Sequence, residues 1–328
     1  RGVGETMSDS DAQQGSPGRV QRVVVSGSSG LIGSALVSSL RADGVRVTTL
    51  VRRPARTTDE VQWFPGEAVL DPAVLDGADA VVALGGANVG RMPWTARYRR
   101  ELAASRLEPT RTLTAALRKL PHRSSSLTGT PAFLSASAVG YYGSAPGEVL
   151  PETHAPGTTF LARVCVKWEA AARDVEDLTR VVLLRTAPVI HRDGVLKPMM
   201  RLTALGLGGP LGQGTQVWPW VSLTDEVRAI QHLINSEVSG AVNIAGPTPA
   251  TMAEQGRALA RTMRRPFWLP APIWGLRFAL GRDATESLLI SDADARPEAL
   301  LKRRFQFAHK TVSEAMSAAF KPQESSAT

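Results

Sequence analysis

Residues 27 to 33 read Gly27-Ser28-Ser29-Gly30-Leu31-Ile32-Gly33, three glycines at three-residue spacing directly after the apolar run Val23-Val24-Val25. A turn of this kind can grip a pyrophosphate. Gly27 permits a tight reversal, Gly30 lets the main chain approach the phosphates, and Gly33 lets the following helix pack closely on the strand. Ser28, Ser29, Leu31 and Ile32 complete the loop and the helix start, whose unpaired amides favour an anion. About twenty residues beyond the motif, NAD-binding domains carry an acid that holds the ribose 2′-hydroxyl. Here that place holds Leu50-Val51-Arg52-Arg53. No carboxylate stands there to repel a 2′-phosphate, and Arg52 and Arg53 can pair with one, so the spacing predicts NADP(H) over NAD(H). The alternative is that the two arginines merely end a strand in solvent.

The elements that must position this turn follow from hydrophobic patterning. From Val20 onward, short β-branched runs alternate with amphipathic segments, the pattern of a parallel sheet flanked by helices. Strands are predicted at 23–25, 45–51, 61–64, 80–84, 132–137 and 180–185. Helices are predicted over 31–43, 94–120 and 159–177, the second kinked or restarted at Pro109. Past Arg185 the rhythm fades and Gly and Pro grow denser, as in GLGGPLGQG over 206–214. A short strand near 216–220, a helix over 224–234, a strand at 241–244 and helices after Thr251 are expected there. The apolar segment 267–280 contains Pro270, Pro272 and Arg277, is too short to span a bilayer, and reads as core.

The expected fold class is α/β: a Rossmann-type doubly wound parallel sheet with a smaller C-terminal α/β substrate lobe. Residues 1–20 read as a disordered leader, 21–190 as the NADP-binding Rossmann domain, 191–320 as the substrate lobe and 321–328 as a disordered tail. The sheet can take elements back from the lobe.

A length of 328 residues and a hydrophobic content of 43% suit one large α/β unit with an appended lobe and exclude a disordered chain. Cys165 is the single cysteine, so no intrachain disulfide or CxxC metal knuckle can form, and a reducing, cytoplasmic location follows. The leader lacks the apolar stretch of a signal peptide. A formal charge of +8 invites a nucleic-acid reading, but the arginines are scattered, and solvated surface is the better account. Of 38 basic residues only six are lysine, leaving 32 arginines, a bias of composition more than a binding face. The expected partner is an unknown small-molecule substrate, with no nucleic acid and no membrane.

Several blocks, in order, carry a family resemblance: GSSGLIG at 27, LGGANVGRMPW at 84, SRLEPTRTL at 105, SASAVGYYG at 135, KWEAAA at 167, GLGGPLGQGTQVWPWVSLTD at 206 and VNIAGPTP at 242. From about Gln21 to Ala319 the chain resembles the extended short-chain dehydrogenase/reductases, and among them the atypical, sugar-epimerase-like family also known as SulA homologues. The resemblance implies that Arg52 and Arg53 hold the 2′-phosphate end of NADP(H), that Leu84 and Gly85 lie along the adenosine ribose, and that Gly86 beside them binds the cofactor. It also implies cofactor positions at Glu101, Arg106 and Val189. For Glu101 and Arg106 the alternative is an exposed pair on one helix. Pro109 stands where the family has a small residue or another helix former. The two long helices of this fold often make a dimer's four-helix seam, which leaves a homodimer open.

The superfamily's general acid is a tyrosine with a lysine four residues later, whose charge lowers the phenol's pKa. This chain has only Tyr98, Tyr141 and Tyr142, followed four residues on by Leu102, Ala145 and Pro146, so no YxxxK exists. Aligned through Glu169, the usual tyrosine and lysine positions hold Leu161 and Cys165. Ser137 matches the superfamily's catalytic serine at the exit of a strand, where such folds bind ligands. The expected proton-handling group is therefore Ser137 with Tyr141 or Tyr142. Lys167 is one turn from the standard lysine, and a surface role is its alternative. His122, His154, His191, His232 and His309 form no metal-ligand pair, and no metal is expected. Trp94, Trp218 and Trp220 are candidates to line a substrate pocket, with plain core as the alternative. Two readings follow: an NADP(H)-dependent oxidoreductase or epimerase-like enzyme, and a cofactor-binding sensor that has lost catalysis.

Overall fold

The computed structural model describes residues 20–120, 129–194 and 196–321. The predicted leader, apart from Val20, the predicted tail after Lys321, and His122 lie outside the described residues.

Apolar runs too short for helices become strands, and the amphipathic segments between them become the crossovers. In chain order these are β1 (Arg22–Ser26), α1 (Leu31–Ala42), β2 (Arg46–Val51), β3 (Glu60–Gln62), β4 (Ala80–Ala83), α2 (Ala96–Leu117), β5 (Ala132–Ala138), β6 (Val149–Leu150), α3 (Phe160–Arg173) and β7 (Val181–Thr186). There follow β8 (Val189–Ile190), α4 (Lys197–Ala204), β9 (Val221–Ser222), α5 (Leu223–Ile234), β10 (Gly240–Ile244) and α6 (Met252–Thr262). The chain closes with α7 (Ile273–Leu280), the single turn α8 (Arg282–Ala284), β11 (Asp294–Ala295), α9 (Glu298–Lys302) and α10 (Val312–Phe320).

Seven strands form one sheet in the order β10-β7-β5-β4-β1-β2-β3, with every pairing parallel. The order reverses between β1 and β4, and at that switch point the carboxyl ends of the strands open a crevice. Alternation of side chains sends Val23 and Val25 toward α1 and α5, and Val24 toward α2 and α3, so two apolar layers sandwich the sheet. The expected doubly wound α/β class is what the chain adopts.

Three local expectations need revision. Helix α2 does not restart at Pro109 but continues through it, because the missing N–H costs one helical bond while Thr110 Oγ1, accepting from Trp168 Nε1 at 2.9 Å, ties the helix to α3. The predicted strand at 216–220 is a single bridge, Val217 to Thr251, and the two-residue β9 follows it. As the sequence allows, the main sheet takes one strand back from the later part of the chain, β10 pairing with β7. The segment 267–280 is not core: no residue of α7 is buried.

Candidate functional site

The Gly27–Gly33 turn sits at the switch point. Gly27 has φ +76°, and a Cβ there would come within 2.7 Å of the Leu84 carbonyl carbon and 2.9 Å of the Gly85 amide. A Cβ on Gly33 would overlap the Gly27 carbonyl oxygen, so helix α1 can lie against the turn only as glycine. Gly30, the N-cap of α1, meets no such obstacle: its amide bonds Gly27 O at 3.0 Å and its outer side is exposed. No side chain caps α1 and no acid occupies its first turn. Its first backbone bond runs from Ser34 N–H to Gly30 O at 2.9 Å, which leaves the amides of Leu31, Ile32 and Gly33 without helical partners. Main chain cleared of side chains, in front of an uncapped helix, fits a pyrophosphate.

Arg52 and Arg53 end β2, as the sequence requires, but they are not equivalent. Arg53 forms a two-pronged pair with Glu60, at 2.8 Å and 2.6 Å, and also donates to the Pro54 carbonyl at 2.9 Å. The Arg53 guanidinium, helped by the Arg56 amide, holds the Glu60 carboxyl down to about 2. Arg52 is exposed and has no hydrogen-bond or ion-pair partner among the described residues. One cation is therefore committed and one is open.

At the exit of β4, the Leu84 amide donates to Ser26 O at 3.1 Å, which places Leu84, Gly85 and Gly86 beside the glycine turn. Arg106 donates to Leu102 O at 2.9 Å and Ala87 O at 3.1 Å and lies 5.4 Å from the Trp168 ring. Gly86 is what admits its guanidinium, since a Cβ there would stand 3.1 Å from Arg106 Cζ. Burial lowers the pKa of Arg106, and no carboxylate pairs with it among the described residues. Glu101 is exposed on the same helix, so the two are not an ion pair. Val189 is buried in β8, opposite Val221 of β9.

Beyond the crevice, the candidate proton-handling residues meet in a buried network. Ser137 Oγ donates to Glu169 Oε1 at 2.7 Å. Arg185, which faces Ser137 in the β5–β7 register, clamps the same carboxylate through Nε at 2.8 Å and its second terminal nitrogen at 2.9 Å. Its first terminal nitrogen donates to the Tyr142 hydroxyl at 2.9 Å and to Glu152 O at 3.0 Å. Tyr142 in turn donates to Asn243 Oδ1 at 2.7 Å, and Asn243 Nδ2 bonds the carbonyls of Leu150 and Arg296. Burial raises the Tyr142 pKa, and Arg185 only partly offsets it. Tyr141 takes part differently: its ring lies 3.5 Å from the Arg185 guanidinium carbon, and its hydroxyl has no protein partner among the described residues. The structure thus brings Ser137, Tyr141 and Tyr142 around one guanidinium.

Glu169, Arg185 and Asn243 were not singled out from the sequence. The available signal was charge at inward positions: Glu169 on the Ala-rich buried face of α3, and Arg185 ending an otherwise apolar strand. Leu161 packs beside Gly140, in a cluster with Trp94 and Phe160, whose rings stand 5.7 Å apart edge to face. Cys165 is buried and its thiol is pushed up to about 12. Lys167 is exposed. Trp220 is fully buried and donates to Thr248 O at 2.9 Å, so it is core, and Trp218 is half-buried.

Next to Arg185 on β7, Thr186 meets a buried acid of α5. Thr186 Oγ1 donates to Glu226 Oε1 at 2.8 Å, Glu226 Oε2 has no partner, and burial pushes this carboxyl up to about 8. The described histidines serve local bonds. His154 pairs with Glu148 at 3.1 Å, which raises its pKa, His191 Nδ1 accepts the Asp193 amide, and His309 meets Ser222 Oγ at 2.9 Å. His232 lies beside Phe305, its pKa lowered by burial and by Arg303. Among the described residues no three His, Cys, Asp or Glu side chains converge as metal ligands.

A glycine turn at the switch point of a parallel sheet defines a nucleotide-binding α/β protein, and comparison narrows the class. The chain belongs to the NAD dependent epimerase/dehydratase family, whose pattern matches residues 23–245. More narrowly, it is similar to Epimerase family protein Mb2239 of Mycobacterium bovis, 42% identical over 297 residues that cover 90% of this chain and 96% of the relative. A chloroplastic SDR39U1 homologue of Arabidopsis thaliana is 32% identical over 304 residues, covering 90% of this chain and 86% of its own. The crystal structure of human epimerase family protein SDR39U1 (isoform 2) with NADPH superposes with a TM-score of 0.80 at 29% identity, covering 91% of this chain and 99% of that one. The family resemblance read from the sequence blocks is borne out.

Proposed function

We propose that the chain binds NADP(H) and acts as an oxidoreductase or epimerase-like enzyme on an unidentified small molecule. The observation that carries this reading is the unpartnered Arg52 beside the glycine turn, with Glu60, the nearby carboxylate, neutralised by Arg53. A 2′-phosphate supplies the anion that such a site lacks. The human relative crystallised with NADPH supports the same choice. Bound, the dinucleotide supplies hydride at C4 of its nicotinamide. The protein's own part is to hold the pyrophosphate on the α1 amides, support the β4 exit loop through Arg106, and handle the substrate proton.

For that proton, Ser137 acts with Tyr141 or Tyr142, and Tyr141 is favoured because its hydroxyl is uncommitted. Ser137 passes its hydrogen bond to Glu169, and Arg185 keeps that carboxylate and the Tyr142 oxygen fixed. A titration that finds NADH bound more tightly than NADPH overturns the cofactor assignment. Turnover unaltered in a Ser137→Ala, Tyr141→Phe, Tyr142→Phe variant overturns the proton assignment. A cytoplasmic homodimer with its seam on α2 and α3 belongs to this reading, with light scattering as its check.

One specific feature favours a second reading, a non-catalytic NADP(H) sensor. Leu161 and Cys165 occupy the family's tyrosine and lysine positions, and neither carries usable acid–base chemistry. Tight NADPH binding without oxidation of the bound cofactor by any of a panel of nucleotide sugars and carbonyl compounds would support the sensor.

A further inference from the structure

Two segments of the C-terminal lobe, 197–213 and 257–282, contain eight cations and no carboxylate, which equals the net +8 of the entire chain. Lys197 pairs with Asp193, and Arg277 and Arg282 with Glu286, which leaves Arg201, Arg257, Arg261, Arg264 and Arg265 exposed and without ion-pair partners among the described residues. The segments are joined in space: Trp268 donates through its amide to Gly208 O at 2.8 Å and through its indole to Gly206 O at 3.1 Å, and the Gly212 amide donates to Ala271 O at 2.9 Å. They also hold seven of the twelve exposed large apolar side chains among the described residues. Trp274 and Phe278, at i and i+4 on α7, are 76% and 93% exposed. Arg264, at φ +55°, and Arg265 stand exposed at the end of α6, immediately before the turn that carries Trp268. Neither has an ion-pair partner among the described residues, whereas Arg277 and Arg282 share Glu286.

We propose that this face docks the protein on an anionic phospholipid bilayer. Aromatic and leucine side chains enter the headgroup boundary, tryptophan being suited to that depth, while the arginines meet lipid phosphates and bury their methylene stems. At about 12 Å, α7 is far too short to cross and lies in the plane of the interface. No described helix is long and apolar enough to cross a membrane. Two other occupants fit the chemistry less well. A second copy joined about a two-fold axis would set the same cations against themselves. A nucleic acid would satisfy the cations but leave Leu205, Leu207 and Phe278 facing phosphate and water.

Co-sedimentation with vesicles of phosphatidylcholine alone, and of phosphatidylcholine mixed with phosphatidylglycerol, tests the assignment. Binding is expected to the mixed vesicles only, weakening as salt rises and accompanied by a blue shift of tryptophan emission. The exposed double variant Trp274→Ala, Phe278→Ala should lose about tenfold or more in vesicle affinity, and Arg264→Glu, Arg265→Glu a comparable amount, each with an unchanged thermal midpoint. No binding to anionic vesicles overturns the proposal. So does a concentration-dependent dimer that Phe278→Glu abolishes, which gives the face to a second copy. Oligothymidylate binding that outcompetes vesicles gives it to a nucleic acid and overturns the proposal equally.

Discussion

Ser137 and Glu169 are each 4% exposed and share a hydrogen bond of 2.7 Å, so the residue that matches the family's serine spends its proton on a carboxylate held by Arg185. Taking away that carboxylate's charge leaves the guanidinium buried with weakened compensation. Glu169→Gln is expected to lower unfolding free energy by about 3–5 kcal/mol, the usual result of breaking a buried pair from one side. Urea denaturation measures it. A loss no larger than that of an exposed control substitution would mean the network adds little to the fold.

The adjacent tyrosines should separate cleanly. Removing the Tyr142 hydroxyl strands Asn243 Oδ1 and one Arg185 donor in a dry site, so Tyr142→Phe should cost about 1–3 kcal/mol. Tyr141→Phe keeps its ring on the guanidinium and loses no protein hydrogen bond, so its stability should stay within about 0.5 kcal/mol of the parent. Equal losses in paired melts would contradict the distinct placements.

Arg52 and Arg53 are adjacent in sequence and unequal in space. Arg52→Ala is expected to weaken NADPH by about tenfold or more while leaving NADH nearly unchanged, because a charge-assisted bond to the 2′-phosphate is lost. Arg53→Ala leaves the Glu60 carboxylate without its guanidinium and free to repel the same phosphate, so its NADPH loss should diminish in the Arg53→Ala, Glu60→Gln double variant. Calorimetric titration of the four proteins reads the effect.

Glu226 gives stability a pH dependence. Its carboxyl titrates near 8 when folded against an ordinary 4.5, so between those values the folded chain keeps a proton that the unfolded chain releases. The group's favourable contribution is complete below about pH 4.5 and is lost as pH rises to 8, at a slope of up to about 1.4 kcal/mol per pH unit. Glu226→Gln should flatten this decline and melt higher than the parent at pH 8. A parent whose midpoint climbs from pH 5 to 8, with no difference in the variant, would refute the assignment.

Periodicity alone located β1, α1, β2, β4, β5 and β7 within a residue or two, because each element is written by its own hydrophobic repeat. The glycine turn was readable for the same reason, since its conformation is dictated by residues that are contiguous. The polar network was not. Glu169 and Arg185 come from consecutive elements, α3 and β7, but Asn243 is distant in sequence, and the β5-β7-β10 order brings it to them. The pairing of Arg53 with Glu60 was not readable either, because Glu60 is supplied by β3, across a pairing that sequence spacing does not reveal. For the segment 267–280 apolar composition implied burial, yet no residue of α7 is buried.

Asn243 belongs to β10, the last strand the ribosome delivers to the sheet, and it closes the hydrogen bonds of Tyr142 and, through it, Arg185. A nascent chain halted before residue 240 would leave the Tyr142 hydroxyl without the acceptor it has in the folded protein. The dinucleotide half therefore relies on a strand encoded after it to complete its buried hydrogen bonds. Any recombination that swaps the later half of such a protein must bring its own closing strand, asparagine included, or inherit a cleft that never sets.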